Sequence, residues 1–173
     1  MAAYSASLPP AMTLSRSQLL ASAQALCNDI ARKAALPDLF SHFSTKHENT
    51  AYEHGEPFLA PFLGRAFKGR SGPGSLEAYF ILLVTHLSYE DMSFGEWIVD
   101  TEAKKVSCVG SAKFTWIEGA GKGNSWNEKF VYNLDFDDEG KMIGYQIWSD
   151  SGAAYLAWKG ELNSLREKFG TDA

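Results

Sequence analysis

Cysteine is scarce in this chain, which has only Cys27 and Cys108 among its 173 residues. The two residues form no Cys-x-x-Cys pair, so a cysteine zinc motif and a dense disulfide framework are both excluded. The glycosylation sequon Asn-x-Ser/Thr is absent as well. Together these absences favour a reduced, cytoplasmic setting over a secreted one.

Basic residues are also fewer than acidic residues. The 16 lysine and arginine residues stand against 21 aspartate and glutamate residues, which gives a net charge of −5. No basic run is available to neutralise a phosphate backbone. The longest apolar run, Tyr79 to Val84, is too short to cross a membrane. We therefore expect neither nucleic acid nor a membrane as a partner.

The motifs of several enzyme classes are missing. The chain has no G-x-S-x-G nucleophile elbow. Its glycine-rich segment 119–125 lacks the phosphate-loop spacing and joins two predicted strands instead of opening a helix. The four histidines, His42, His47, His54 and His86, show no zinc-ligand spacing. The sequence thus predicts no metal and no cofactor.

What the chain does contain is the material of one folded domain. Hydrophobic residues make up 45% and aromatic residues 13% of the sequence, which is typical of a globular protein. We predict a flexible tail over residues 1–12, a domain over residues 13–160, and a short helix and tail over residues 161–173. The first 28 residues hold no acid and only Arg16 as a base, so a frayed tail is favoured over an arginine-rich transit peptide.

Helices and strands are predicted in separate groups. A capping box at Ser15–Gln18 starts an amphipathic helix, and Pro37 starts a short second one. Ser75 caps an apolar helix that we expect inside the protein, and Ser149 or Asp150 caps a helix that Gly160 ends. Strands are predicted at residues 48–54, 89–99, 106–117, 125–136 and 142–149. When the helices are grouped separately from a run of consecutive strands, an α+β architecture is indicated.

Three segments resemble the SnoaL-like group of the nuclear transport factor 2-like superfamily. They are GKMIGYQIWSDSGAAYLAWKG (140–160), AYEHG (51–55) and SWNEKF (125–130), and the last two are similar to uncharacterised fungal members. The resemblance spans about Ser15 to Gly160. It implies a cone-shaped α+β barrel, in which a strongly curved antiparallel sheet wraps around N-terminal helices and encloses a cavity. It also implies isomerase, epoxide hydrolase, dehydratase or cyclase activity, or binding without catalysis.

Glu128 is the principal candidate for a catalytic residue. Side chains alternate along a strand, so Glu128 shares one face with Trp126, Phe130 and Tyr132. A carboxylate among aromatic side chains is desolvated, and the resulting rise in its pKa suits a general acid or base. An open strand end or a structural ion pair would explain the same pattern.

His54 is the second catalytic candidate, because a histidine beside a carboxylate can relay a proton. Its alternative role is to satisfy a backbone carbonyl. Tyr52 and Tyr132 are predicted to hold a substrate carbonyl or hydroxyl, although buried tyrosines often only pack. Further cavity candidates are Glu96, as a second carboxylate on an apolar strand face, and the aromatic residues Trp126, Phe130 and Trp148.

These residues lead to one main hypothesis and two alternatives. The main hypothesis is a cofactor-free isomerase, cyclase or dehydratase that transfers a proton on an apolar, secondary-metabolite-like small molecule. The first alternative is a binding protein that uses the same cavity without chemistry. The second is an interaction module that forms a homodimer through the outer sheet face.

Overall fold

The computed structural model describes residues 14–171, and the predicted tail over residues 1–12 lies outside them. The described residues form five helices and six strands. The helices are α1 (Arg16–Ala31), α2 (Leu36–Phe40), α3 (Leu76–His86), α4 (Ser151–Lys159) and α5 (Leu162–Phe169). The strands are β1 (Thr50–His54), β2 (Ala66–Lys68), β3 (Leu87–Asp100), β4 (Lys105–Trp116), β5 (Ser125–Phe136) and β6 (Met142–Trp148).

The predicted helix starts are confirmed by the hydrogen bonds at each cap. At α1 the Gln18 N–H donates to Ser15 Oγ at 3.3 Å, and the Ser15 N–H donates to Gln18 Oε1 at 2.9 Å. Ser75 caps α3, and Asp150 caps α4 by accepting from the Ala153 N–H at 2.9 Å. Gly160 ends α4 in the left-handed conformation that glycine favours.

The six strands form one curved sheet that does not close into a barrel. Their order is β2-β1-β6-β5-β4-β3. The sheet is mixed, not wholly antiparallel as the sequence predicted, because β1 pairs in parallel with β6. The edge strand β2 lies in a segment where the sequence predicted no strand. A three-residue strand is too short to show an alternating pattern.

The inner face of the sheet packs against the helices. The predicted alternation on β5 is confirmed, since Trp126, Glu128, Phe130 and Tyr132 are all buried while their neighbours are more exposed. The same face continues through Leu134 and Phe136. The apolar core therefore lies between this face and helices α1 and α3.

Two bulges in β3 reverse its alternation and correct the prediction for Glu96. Asp91 and Glu96 both have positive φ angles, of 54° and 53°, and the pairing with β4 shifts register around each of them. Beyond the second bulge Trp97 packs on the core while Ile98 is 70% exposed. Glu96 consequently faces away from the core instead of sharing an apolar face.

Helix α3 is only partly inside, contrary to the expectation of a fully buried helix. Its first half buries Leu76, Tyr79 and Phe80. In its second half Ile81 is 46% and Val84 is 60% exposed. This end of the helix borders a cavity through Leu83 and Val84, while Leu82 and Leu83 still pack against the core.

None of the helices in the described part of the chain has both the length and the apolar character needed to cross a membrane.

Candidate functional site: a cavity with two carboxylates

A cavity of about 470 Å³ opens between the helices and the inner face of the sheet. Its walls are mainly apolar and aromatic. The aromatic lining consists of Phe62, Tyr79, Phe80, Tyr89, Phe114, Trp126, Phe130, Tyr132 and Tyr145. A space of this size and composition suits a largely apolar small molecule.

Glu128 lies in this cavity on β5 and is 9% exposed. Its two carboxylate oxygens each accept one hydrogen bond from an N–H group. The Trp126 indole Nε1–H donates to Oε2 at 2.5 Å, and the Asp150 backbone N–H donates to Oε1 at 2.7 Å. The second bond also places the carboxylate at the N-terminus of α4, where the helix dipole favours negative charge.

Glu53 is a second cavity carboxylate, which the sequence interpretation missed. It lies on β1 and is 8% exposed. The Tyr79 hydroxyl donates to its Oε2 at 2.7 Å, and the Ser149 hydroxyl donates to its Oε1 at 3.1 Å. Tyr79 comes from α3, so this contact also joins the helix layer to the sheet.

The two carboxylates are held by consecutive residues at the junction of β6 and α4. Ser149 bonds to Glu53 through its side chain, and Asp150 bonds to Glu128 through its backbone. Strand β6 runs between β1 and β5: Glu53 pairs with Ile147, and Ile147 pairs with Tyr132, so Glu128 lies four residues nearer to the start of β5. Their side chains reach one cavity from either side of β6.

The environment shifts the pKa of both glutamates. Burial raises the pKa of Glu53 to about 7, although the Tyr79 and Ser149 hydroxyls lower it, and the nearby charge of Glu128 adds to the rise. Burial also raises the pKa of Glu128, and the N–H groups of Trp126 and Asp150 oppose this effect. Carboxyl groups that titrate nearer to neutral pH than usual are suited to general acid–base work.

The type of hydrogen-bond partner distinguishes the two groups. Glu128 is bonded to two N–H groups, which can only donate and therefore favour its ionised form. Glu53 is bonded to two hydroxyls, which can donate to the carboxylate or accept from the protonated acid. The site can thus hold an ionised base and a protonated acid at the same pH.

Metal coordination has no comparable basis in the described residues, since no three His, Cys, Asp or Glu side chains among residues 14–171 converge as ligands would.

Comparison with known proteins identifies the fold. Neither a family model nor a curated protein matches the sequence. Among solved structures, an NTF2-like protein of unknown function from Burkholderia pseudomallei matches with a TM-score of 0.63 at 16% identity, over 80% of this chain and 94% of that chain. The chain has the nuclear transport factor 2-like fold.

Two enzymes are also among the similar structures. BvnE pinacolase from Penicillium brevicompactum matches with a TM-score of 0.57 at 17% identity, over 88% of this chain and 98% of that chain. SalBIII, an epoxide hydrolase/cyclase-like enzyme of pyran ring formation, matches with a TM-score of 0.59 at 12% identity, over 78% of this chain and 92% of that chain. At these identities the likeness establishes the nuclear transport factor 2-like fold alone.

Four of the predicted site residues lie on the cavity wall of this fold. Glu128, Trp126, Phe130 and Tyr132 all contribute to the lining. Tyr132 packs edge-on against Tyr145, with ring centroids 4.9 Å apart. The period-two pattern of β5 was sufficient to place this group on one face.

The prediction that His54 lies within reach of Glu128 is wrong. On β1 the residues Ala51 and Glu53 are buried, so His54 and Tyr52 extend from the opposite face of the sheet. There the His54 ring stacks on Trp148, with centroids 4.0 Å apart, and its Nε2 lies 3.3 Å from Gln146 Oε1.

The prediction that Tyr52 and Trp148 line the cavity is wrong for the same reason. Tyr52 meets the His54 ring edge-on at 4.6 Å, and Trp148 is 41% exposed, so both belong to the outer sheet face. Glu96, turned outward by the β3 bulge, does not line the cavity either. These three residues and His54 are therefore separated from the two carboxylates by the sheet.

Glu53 and His54 are adjacent, so they necessarily point to opposite faces of β1. A five-residue strand without clear alternation does not reveal which of the two points inward. The available signal was Ala51, a small apolar residue two positions before Glu53 and therefore on the same face of β1.

Proposed function

We propose that this protein is an enzyme that moves a proton on an apolar small molecule and thereby isomerises, cyclises or dehydrates it. One observation carries the proposal: Glu53 and Glu128 share an apolar cavity, yet only Glu128 is bonded to two N–H groups, which favour its ionised form, whereas the two hydroxyl partners of Glu53 can accommodate either protonation state. Pairs of carboxyl groups whose environments separate their protonation states are the usual basis of acid–base assignment.

In the proposed mechanism Glu128 is the general base and Glu53 the general acid. Ionised Glu128 removes a proton from a carbon or a hydroxyl of the substrate, and the electron pair of that bond moves toward an oxygen at the far end of the reacting group. Protonated Glu53 delivers a proton to this oxygen. In a dehydration the C–O bond breaks and water leaves; in an isomerisation or cyclisation no atoms are lost. The two glutamates then exchange protons with solvent to restore their starting states.

The similar structures support this proposal at the level of reaction type. A pinacolase and an epoxide hydrolase/cyclase-like enzyme both share the fold. Both names describe reactions at an oxygen-bearing carbon, which an acid–base pair in an apolar cavity can catalyse.

The test measures proton transfer itself and works whichever product forms. The protein is incubated in D₂O with a panel of apolar ketones, alcohols and epoxides, and mass spectrometry records deuterium uptake and product formation. We expect Glu128→Gln and Glu53→Gln each to lower the rate by about 10²-fold or more. Glu102→Gln, at an exposed turn residue, is the matched control and should react at the wild-type rate.

Two outcomes would contradict the proposal. Wild-type rates in Glu128→Gln would remove its central residue. Ligands that bind the wild-type protein but return unaltered and undeuterated would favour the alternative of a binding protein without chemistry.

Self-association through the outer sheet face stays a prediction, as does a cytoplasmic location. The exposed pair Val131 and Trp148, 38% and 41% exposed and opposite each other on β5 and β6, supports a contact between two copies of the chain. Sedimentation velocity should show a dimer that Trp148→Ser weakens. A wild-type monomer at all concentrations would refute it.

A further inference from the structure

Charge is distributed unevenly along the cavity. Its exposed lining residues Lys33, Ala35, Val84 and Ile117 define its mouth, whereas Glu53 and Glu128 are buried. Lys33 is the single basic side chain in the part of the lining that the structure describes. The inner end is thus negative or able to become so, and the mouth carries one positive charge.

The structure fixes the start of the Lys33 side chain at the mouth. Lys33 follows α1 with a left-handed φ of 57°, and its N–H donates to the Ile30 carbonyl at 2.9 Å. This conformation ends the helix as a Schellman motif, in which the Ala34 N–H also donates to the Asp29 carbonyl at 2.9 Å. The chain turns here and presents Lys33 to the cavity opening.

The ammonium group rests against an aromatic ring and has no anionic partner among the described residues. Lys33 Nζ lies 5.2 Å from the centroid of the Tyr89 ring, and the Tyr89 hydroxyl donates to the Ile30 carbonyl at 2.5 Å. Among residues 14–171, no carboxylate lies within the 4.0 Å of Lys33 Nζ that defines an ion pair. Its charge is therefore free to interact with a bound molecule.

We propose that Lys33 binds an acidic group of the ligand at the mouth, so that the cavity selects amphipathic monoanions whose apolar body enters first. This inference rests on the proposed function and specifies its substrate class: a molecule with a carboxylate or similar anion at one end, an apolar middle, and an uncharged oxygen at the reacting end.

The charges at the two ends of the cavity favour one orientation of such a molecule inside it. An anionic group beside Glu53 and Glu128 would be repelled in a desolvated setting, where like charges interact strongly. A hydroxyl or carbonyl at that end can instead exchange hydrogen bonds with the two glutamates. The anion then lies at the mouth, where it meets Lys33 and stays partly hydrated.

Two ligands that differ only in their head group test the proposal. The neutral fluorescent probe N-phenyl-1-naphthylamine reports on the cavity, and dodecanoate and dodecanol compete for it at low salt and about pH 8, where a carboxylic acid is ionised. The variants are Lys33→Met, Lys33→Glu and the control Lys129→Met, which removes an equal charge from an exposed position outside the cavity lining.

We expect Lys33→Met to weaken dodecanoate about three- to fivefold, as a partly exposed ion pair would, and to leave dodecanol unchanged. Lys33→Glu should weaken dodecanoate further, and Lys129→Met should change neither ligand. An equal change in both ligands, or no change in either, would overturn the proposal, and so would failure of the wild-type protein to bind them.

The proposed function is tested with different variants. Loss of proton transfer in the glutamate variants does not depend on Lys33, and loss of the preference for dodecanoate does not depend on turnover. Either inference can therefore fail while the other stands.

Discussion

The Tyr79 hydroxyl makes a hydrogen bond that influences the protonation of Glu53. It donates to Glu53 Oε2 at 2.7 Å, and this bond stabilises the ionised carboxylate and lowers its pKa against the larger effect of burial. The protonation state of the proposed acid near neutral pH therefore depends on burial and on a side chain from helix α3.

Tyr79→Phe should raise the pKa of Glu53 above its value of about 7, because burial remains and one stabilising donor is lost. Carbon-13 NMR of the labelled glutamate carboxyls would measure the titration directly. In activity profiles the basic limb, where the acid loses its proton, should move to higher pH. Tyr155→Phe, on α4 and without a bond to Glu53, should leave the titration unchanged. An unchanged or lower Glu53 pKa in Tyr79→Phe would contradict the assignment.

Single residues were predictable from sequence where their strand was long. The 12 residues of β5 carry enough alternation to place Glu128 and its aromatic neighbours inward. The five residues of β1 do not, and the sequence interpretation named His54, whose ordinary pKa lies near 7, while Glu53 was missed. The chemistry of Glu53 arises from burial and from Tyr79, which is distant in sequence and reaches it only in the folded protein.

At the scale of the element, α4 depends on Asp150, the residue that caps its start. The Asp150 carboxylate accepts from the Ala153 N–H at 2.9 Å and satisfies a donor that the helix itself leaves unbonded. Asp150→Ala should lower the free energy of unfolding by about 1 kcal/mol, measured by urea denaturation. Asp150→Asn keeps an acceptor and should lose only a few tenths of that. Equal loss in both variants would show that charge, not the cap bond, matters.

Strand β4 depends on a glycine beneath an aromatic ring. A Cβ atom at Gly110 would overlap the Phe130 ring, which lies across from it on β5 and lines the cavity. Gly110→Ala should therefore cost about 1–3 kcal/mol of stability through overpacking. Gly95→Ala on β3 meets no atom within 4 Å of its new Cβ and is the matched control. Urea unfolding of both variants decides whether close packing or strand glycine content sets the stability.

The elements that the sequence predicted well are those with local signals. Caps, turn glycines and the alternation of long strands depend on residues close together in the chain. The parallel pairing of β1 with β6 joins segments that are distant in sequence, and the bulges at Asp91 and Glu96 interrupt an alternation that looks regular. Neither feature has a local signature, which is why the sheet was predicted as antiparallel and Glu96 as inward.

At the scale of the whole molecule, the buried Glu53 links stability to pH. Its pKa in the folded protein, about 7, exceeds the ordinary glutamate value near 4.3, so the folded state binds its proton more tightly than the unfolded state. This stabilisation is complete below about pH 4 and is lost as pH rises through about 7.

Glu53→Gln removes this dependence, because glutamine stays neutral at every pH. Relative to wild type, its free energy of unfolding should rise by about 3 kcal/mol between about pH 4 and pH 8. Denaturant unfolding across this range measures the difference, and Glu102→Gln should track the wild-type protein. A constant difference between Glu53→Gln and wild type would show that Glu53 does not titrate in this range.

The overall architecture followed from the resemblance in three segments, and the α+β class from the grouping of helices and strands. The cavity was expected from the fold, but its charge pattern was not. That pattern depends on the loop after α1, the start of α4 and the inward-facing residues of β1. These parts converge only through the curvature of the sheet.

The Ser149–Asp150 junction has a consequence for the rate of any reaction in this cavity. Because consecutive residues hold both carboxylates, the proposed acid and the proposed base are positioned when the chain folds, before a ligand enters. A substrate then has to lose only its own translational and rotational freedom to reach a reactive geometry, and this kind of preorganisation accounts for much of the effective molarity of enzymes.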